Sequence, residues 1–142
     1  MRALLDVNVL LAISDVGHVH HDRARAWWKG HRSAGWASCP LTQNGFVRII
    51  SKPGYGRPVP LHTALSGLAA QLAQPGHEFW PDDISIADNR VFDRSHILGH
   101  NQIADLYLLA LAVKHGGRLV TFDRRVPLRA VRGAEVRHLV VL

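Results

Sequence analysis

The apolar positions along the chain follow two rhythms. Short unbroken apolar runs of strand length alternate with longer stretches whose apolar residues recur three or four places apart, the spacing of one helix face. Arg2 to Leu5 predicts a strand, and after a tight turn Asn8 to Ile13 predicts a short helix. His20 to Gly30 carries Ala24, Trp27 and Trp28 at helical spacing, and Gly35 to Ser38 reads as a short buried strand. Pro40 suits a first helical turn, and Phe46, Val47 and Ile50 form an apolar stripe ending at the Pro53-Gly54-Tyr55-Gly56 turn. Leu61 to Ala73 predicts an amphipathic helix closed by Pro75-Gly76, and His77 to Trp80 a strand. Asn101 is the expected N-cap of a helix from Gln102 to His115, which Gly116-Gly117 ends. Strands from Arg118 to Phe122 and from Glu135 to Val141 complete the series. Such alternation predicts an α/β fold around a mainly parallel sheet. No repeat, low-complexity tract or linker interrupts it, so residues 1–142 are read as one domain.

Polar residues break the apolar pattern at informative places. LLDVNVLLA carries Asp6 and Asn8 inside an otherwise apolar run. A buried unpaired charge is costly, so the strand is expected to end at Asp6 and a helix to leave from it. In a parallel α/β fold each strand ends, and the next helix begins, at one edge of the sheet, where ligands bind. Asp123 follows the Arg118 to Phe122 strand and reaches the same edge. Asp105 and Gln43 lie in the first turns of their helices and face it too. Each acid alone has an ordinary structural use, as helix cap, dipole partner or turn residue. Three at one edge predict a cation site, because clustered carboxylates repel unless neutralised. All-oxygen ligands favour Mg²⁺ or Mn²⁺, and such a site can activate water against a phosphodiester.

Composition narrows the class. The chain is 47% hydrophobic and 20% charged, the balance of a folded globular protein. Its net charge is +6, and with only three lysines (Lys29, Lys52, Lys114) fourteen of its seventeen basic residues are arginines. Arginine pairs bidentately with phosphates and carboxylates, so an anionic partner, nucleic acid or an acidic protein, is expected. The single cysteine, Cys39, allows no internal disulfide and fits a reducing cytoplasm. Met1 to Ile13 is too short to span a bilayer, is interrupted by Asp6 and has no small-residue cleavage site, so neither membrane anchorage nor secretion is expected.

Four blocks in order resemble the PIN-domain family, specifically VapC-like toxins of toxin–antitoxin pairs: LLDVNVLLA, HVHHDRARAWW, CPLTQNGFVRII and IADLYLLALAVKHGGRLVTFD. The resemblance covers nearly the whole chain. It implies a compact α/β/α sandwich, usually dimeric, whose acids bind Mg²⁺ or Mn²⁺ and cleave RNA, with a cognate VapB-like antitoxin blocking the site. It implies that Asp6, Asp105 and Asp123 are the catalytic, metal-binding acids. One departure stands out: the family usually has a glutamate early in the third long helix, where this chain has Gln43. Glutamine keeps the length and one carbonyl oxygen but loses the charge. Asp82 and Asp83 are the reserve acids, with turn or capping roles as the alternative.

Around this set, Thr121 is placed to hydrogen-bond a water or phosphate at the site, or to serve as a β-branched strand residue. Asn8 is expected to orient Asp6 or to cap the following helix. Arg48 is expected against Asp6 or RNA phosphate, unless it is a solvated helix arginine, and Arg124 and Arg125 against the RNA backbone. His18, His20 and His21 lack a matching ligand pair for zinc and read as a helix-start loop. Gly54 and Gly56 are only a fragment of a dinucleotide fingerprint. Trp27, Trp28, Trp36 and Trp80 read as core or interface residues. Two other readings compete: a PIN-like module weakened by Gln43 that binds RNA or antitoxin without efficient cleavage, and an α/β phosphatase, whose D-x-D pair is D-x-N here.

Overall fold

A computed structural model describes all 142 residues. Five short strands, β1 (Ala3–Leu5), β2 (Trp36–Ser38), β3 (His77–Phe79), β4 (Arg118–Thr121) and β5 (Leu139–Val141), form one sheet. The order is β3-β2-β1-β4-β5, and every neighbouring pair is parallel. Five helices connect them: α1 (Val7–Ser14), α2 (His21–His31), α3 (Pro40–Ile50), α4 (Leu61–Leu72) and α5 (Ile103–Lys114).

Strand alternation divides the core into two layers. Leu4 and Leu119 point into a cluster with Leu106, Leu109 and Ala112 of α5, together with Trp80 and Phe92. Ala3, Leu5 and Val120 point the other way, against Val9 and Leu10 of α1, Phe46 and Ile50 of α3, and Ala64 of α4. Helices therefore cover both faces of the buried central strands, giving the expected α/β/α sandwich. Helix α5 is buried from Leu106 to Ala112 save Tyr107, so it is apolar nearly all round and only its first turn is free to carry polar chemistry.

Two close approaches require glycine. A Cβ at Gly117 would lie 2.6 Å from Trp80 and 2.8 Å from the Arg2 carbonyl, where β4 enters the sheet beside β1. Gly35, at φ +84°, turns the chain into β2.

Two expected elements differ. Asn101 caps nothing; His100–Gln102 is a 3₁₀ turn and α5 starts at Ile103. The last strand is half the expected length, because Val136–His138 forms a 3₁₀ turn in which the Glu135 amide donates to His138 Nδ1.

Candidate active site at the carboxyl edge

The sheet reverses its order of growth between β1 and β4: the chain builds outward to β2 and β3, then returns to add β4 and β5 on the other side. The crevice outside the carboxyl ends at such a switch point is where open parallel sheets bind ligands. Asp6 leaves β1 there, its backbone N–H donating to the Val120 carbonyl of β4 at 3.0 Å. Asp123 follows β4 by two residues. Asp105 enters from the first turn of α5.

Asp6 is 9% exposed and is itself the N-cap of α1, accepting from the Val7 N–H at 2.7 Å. Its second oxygen accepts from the buried Thr121 hydroxyl at 3.0 Å. The Asp123 N–H donates to that same hydroxyl oxygen at 3.1 Å, so Thr121 ties the two acids together. Asp123 accepts in turn from the Arg125 N–H at 2.8 Å, with the guanidinium 3.3 Å away.

The charges of the three acids act on one another. Burial, then Asp6, then Asp123 push the Asp105 carboxyl up to about 6. Burial also raises Asp6, against its Thr121 and Val7 hydrogen bonds, and Asp123 adds to the rise. Asp123 is lowered by its bonds to Arg125. Asp105 is half-buried and has no hydrogen-bond or ion-pair partner, so it retains two free oxygens among like charges. The donor chemistry fits a hard divalent cation. The three acids are not drawn together into ligand geometry: Asp6 and Asp123 are turned onto protein donors.

The remaining expected residues divide. Gln43, half-buried on the first turn of α3, donates from Nε2 to Ser38 Oγ at 2.9 Å, leaving its carbonyl oxygen without a protein partner. Ser38 is fully buried and also contacts His77 Nε2 at 2.8 Å. Asn8 is exposed and neither orients Asp6 nor caps α1, because Asp6 fills the capping role. Arg48 makes no ion pair with Asp6; it is exposed in the last turn of α3, about 12 Å along the helix from Pro40. Arg124 is exposed in the turn directly after Asp123. The reserve acids are engaged elsewhere: Asp82 accepts from the Leu41 N–H at the start of α3, and Asp83 pairs with Lys114 at 2.7 Å.

Sequence reasoning missed Ser38 and His77. Ser38 did carry a signal, a polar residue closing an apolar strand as Asp6 does. His77 carried none.

Other chemistries find no support. Burial pushes the Cys39 thiol up to about 11, which removes it as a nucleophile. His18 and His20 gather on Phe122, with ring centroids 6.4 and 4.6 Å away, while His21 bonds the Ala12 carbonyl. An apolar groove of about 400 Å³ among α1–α4 is lined by Leu10, Ile13, Trp28, Phe46 and Leu68, and none of the three acids borders it.

A five-stranded parallel sheet with carboxylates gathered at its switch point defines an α/β/α acid-site protein. The chain belongs to the PIN domain family, whose model matches residues 3–133. It is 54% identical to Ribonuclease VapC44 of Mycobacterium tuberculosis across the full length of both chains. It is 44% identical to Ribonuclease VapC39 of the same species over 124 residues, 87% of this chain and 89% of the relative. Two solved structures share the fold at low identity. The VapBC2 complex of Rickettsia felis bound to a promoter DNA fragment gives a TM-score of 0.62 at 16% identity, covering 100% of this chain and 98% of that one. VapC20 of M. tuberculosis, described as a Sarcin-Ricin loop cleaving toxin, gives 0.57 at 13%, covering 87% and 92%.

Proposed function

We propose that the protein is a VapC-like endoribonuclease toxin that hydrolyses RNA phosphodiester bonds with a divalent cation held by Asp6, Asp105 and Asp123. The observation that carries this reading is the unpartnered Asp105 carboxyl beside Asp6 and Asp123 at the switch point. The full-length likeness to a ribonuclease supports the substrate class. Mg²⁺ or Mn²⁺ suits the all-oxygen donor set. When bound, the cation would neutralise charge on the phosphate and ease deprotonation of the attacking water.

The chain's own residues supply orientation. Val7 N–H and the Thr121 hydroxyl fix the Asp6 carboxylate in one rotamer, and Thr121 couples that rotamer to the Asp123 backbone. Arg125 steadies Asp123, while the exposed Arg124 meets the RNA backbone beside the cleaved bond. Water attacks phosphorus, the bond from phosphorus to the leaving oxygen breaks, and that oxygen takes a proton.

The natural partner is a VapB-like antitoxin, an arginine of which pairs bidentately with the rim carboxylates in place of the cation. A homodimer, as the resemblance implies, is the assembly expected.

The test is RNA cleavage by purified protein with Mg²⁺, Mn²⁺ or chelator, followed by sequencing of the new RNA ends. Cleavage lost with chelator and in Asp6→Asn is expected. Wild-type cleavage rates for Asp6→Asn in metal-replete buffer would refute the assignment.

A further inference from the structure

Gln43, Ser38 and His77 form a hydrogen-bonded chain from the acid rim to the edge strand β3. Gln43 Nε2 lies 2.9 Å from Ser38 Oγ, which lies 2.8 Å from His77 Nε2. Ser38 is fully buried, so its single hydroxyl proton must be used inside the chain. Two polarities satisfy every atom. Either Gln43 donates to Ser38 and Ser38 donates to His77, or His77 donates to Ser38 and Ser38 donates to the Gln43 carbonyl. They differ in the place of the imidazole proton. The structure sets the Gln43 amide nitrogen, which only donates, against the Ser38 hydroxyl oxygen, and this fixes the first polarity, with the imidazole proton on Nδ1. His77 Nε2 is then an acceptor, Ser38 must donate to it, and the group meeting Ser38 from α3 must be a donor. An amide can be that donor and an ionised carboxylate cannot.

We propose that His77, acting through Ser38, is a positioning residue for Gln43: it holds the amide nitrogen against the sheet and leaves the carbonyl oxygen as the group α3 offers a divalent cation at the Asp6–Asp105–Asp123 rim. This rests on the metal-site reading above. It gives Gln43 in place of a glutamate a structural partner, since the Ser38–His77 pair in its observed state selects a donor at position 43.

The experiment measures Mn²⁺ affinity by calorimetry on metal-free protein. His77→Phe keeps a ring beside Trp36, whose centroid lies 4.5 Å away, but removes the acceptor. Ser38 then turns its proton to the Gln43 carbonyl, and the amide flips its N–H groups toward the rim. Mn²⁺ binding should weaken about tenfold, the lower end of what removing a ligand-orienting partner costs. Ser38→Ala should act in the same direction. A carboxylate has two equivalent oxygens, so in a Gln43→Glu background His77→Phe should not weaken affinity. A general packing defect would weaken both backgrounds alike and overturn the relay. Nitrogen NMR of the imidazole provides a second readout: the proton should sit on Nδ1, and a proton on Nε2 overturns the proposal. Asp6→Asn separates the two readings. If it abolishes Mn²⁺ binding while His77→Phe does not weaken it, the relay alone fails. If Asp6→Asn leaves binding unchanged, the metal site fails and the relay falls with it.

Discussion

At the scale of single residues the site turns on Asp105, the one acid of the three whose charge has no partner. Asp105 has an ordinary carboxyl value of 3.8 and is pushed up to about 6 in the fold. Near neutrality it is ionised in both folded and unfolded chains, so the folded state carries the cost of that charge. As pH falls through 6 toward 4 the folded state takes up the proton first, and the cost fades. Asp105→Asn should therefore stabilise the metal-free protein at pH 7.5 by about 1 kcal/mol, a figure discounted because the carboxyl is half exposed. That is a melting-temperature rise of roughly 2–4 °C. The advantage should disappear at pH 4, and thermal melts at the two pH values check the sign. The same variant should lose Mn²⁺ binding and RNA cleavage. Thr121→Val keeps the strand residue's shape but deprives Asp6 of its hydroxyl donor; cleavage should fall about tenfold to a hundredfold with the fold retained. Gln43→Glu adds a fourth negative group where hard cations respond to ligand charge, so it should tighten metal binding and raise cleavage at limiting metal. Titration of both proteins with Mn²⁺ checks this, and unchanged affinity would mean that position 43 contributes nothing to the rim.

At the scale of elements, the site depends on two helices leaving the same edge side by side. Helix α3 passes α1 at Gly45, where a Cβ would lie 2.7 Å from Val7 Cγ2. Val7 is β-branched and held in the first turn of α1, so it has no alternative rotamer to retreat into. Gly45→Ala should force the helices apart, costing about 1–3 kcal/mol. It should also weaken metal binding, because Asp6 caps one helix and Gln43 rides on the other; denaturant melts and Mn²⁺ calorimetry read the two effects separately. Much of this architecture was legible in the sequence because each element has a local cause. The strand-ending acids Asp6 and Asp123 mark where apolar runs stop, and Gly116-Gly117 and Pro75-Gly76 close helices at their expected ends. Asn101 misled because its cap signal competed with a 3₁₀ turn, in which Gln102 Oε1 accepts from the Leu98 N–H at 3.0 Å. The link between Gln43 and His77 was not legible, since it joins residues 34 positions apart. It exists only because β2 and β3 pair in register, Trp36 beside His77. Arg48 shows the same limit from the other side: spacing places it on α3, but only the helix's direction away from the rim shows that it cannot reach Asp6.

At the scale of the whole molecule the acid rim sits in a strongly basic protein, with a net charge of +6. Five arginines are bound up in ion pairs, Arg2, Arg90, Arg125, Arg132 and Arg137. Arg124, in the turn directly after Asp123, and Arg129, on the Leu128–Ala130 3₁₀ turn, are exposed without such partners. This arrangement separates two tasks: the acids repel phosphate unless a cation is present, while the nearby arginines attract it. RNA binding should therefore weaken steeply with salt, with a slope of about 0.7 per phosphate contact on single strands. Arg124→Ala should lower affinity similarly for every RNA sequence and flatten the slope by roughly one contact. Binding titrations of the Asp105→Asn protein, in which cleavage is expected to be lost, at several salt concentrations measure this. An antitoxin tail that brings its own arginine to the rim meets the opposite field, since it needs the rim carboxylates and gains nothing from Arg124. Its binding should depend on Asp105 and Asp6, be weakened by added Mn²⁺ and be nearly indifferent to Arg124→Ala. RNA and antitoxin should nevertheless exclude each other, because both must occupy the edge between β1 and β4. A ternary complex with both bound at full affinity would show that the antitoxin blocks cleavage from another face.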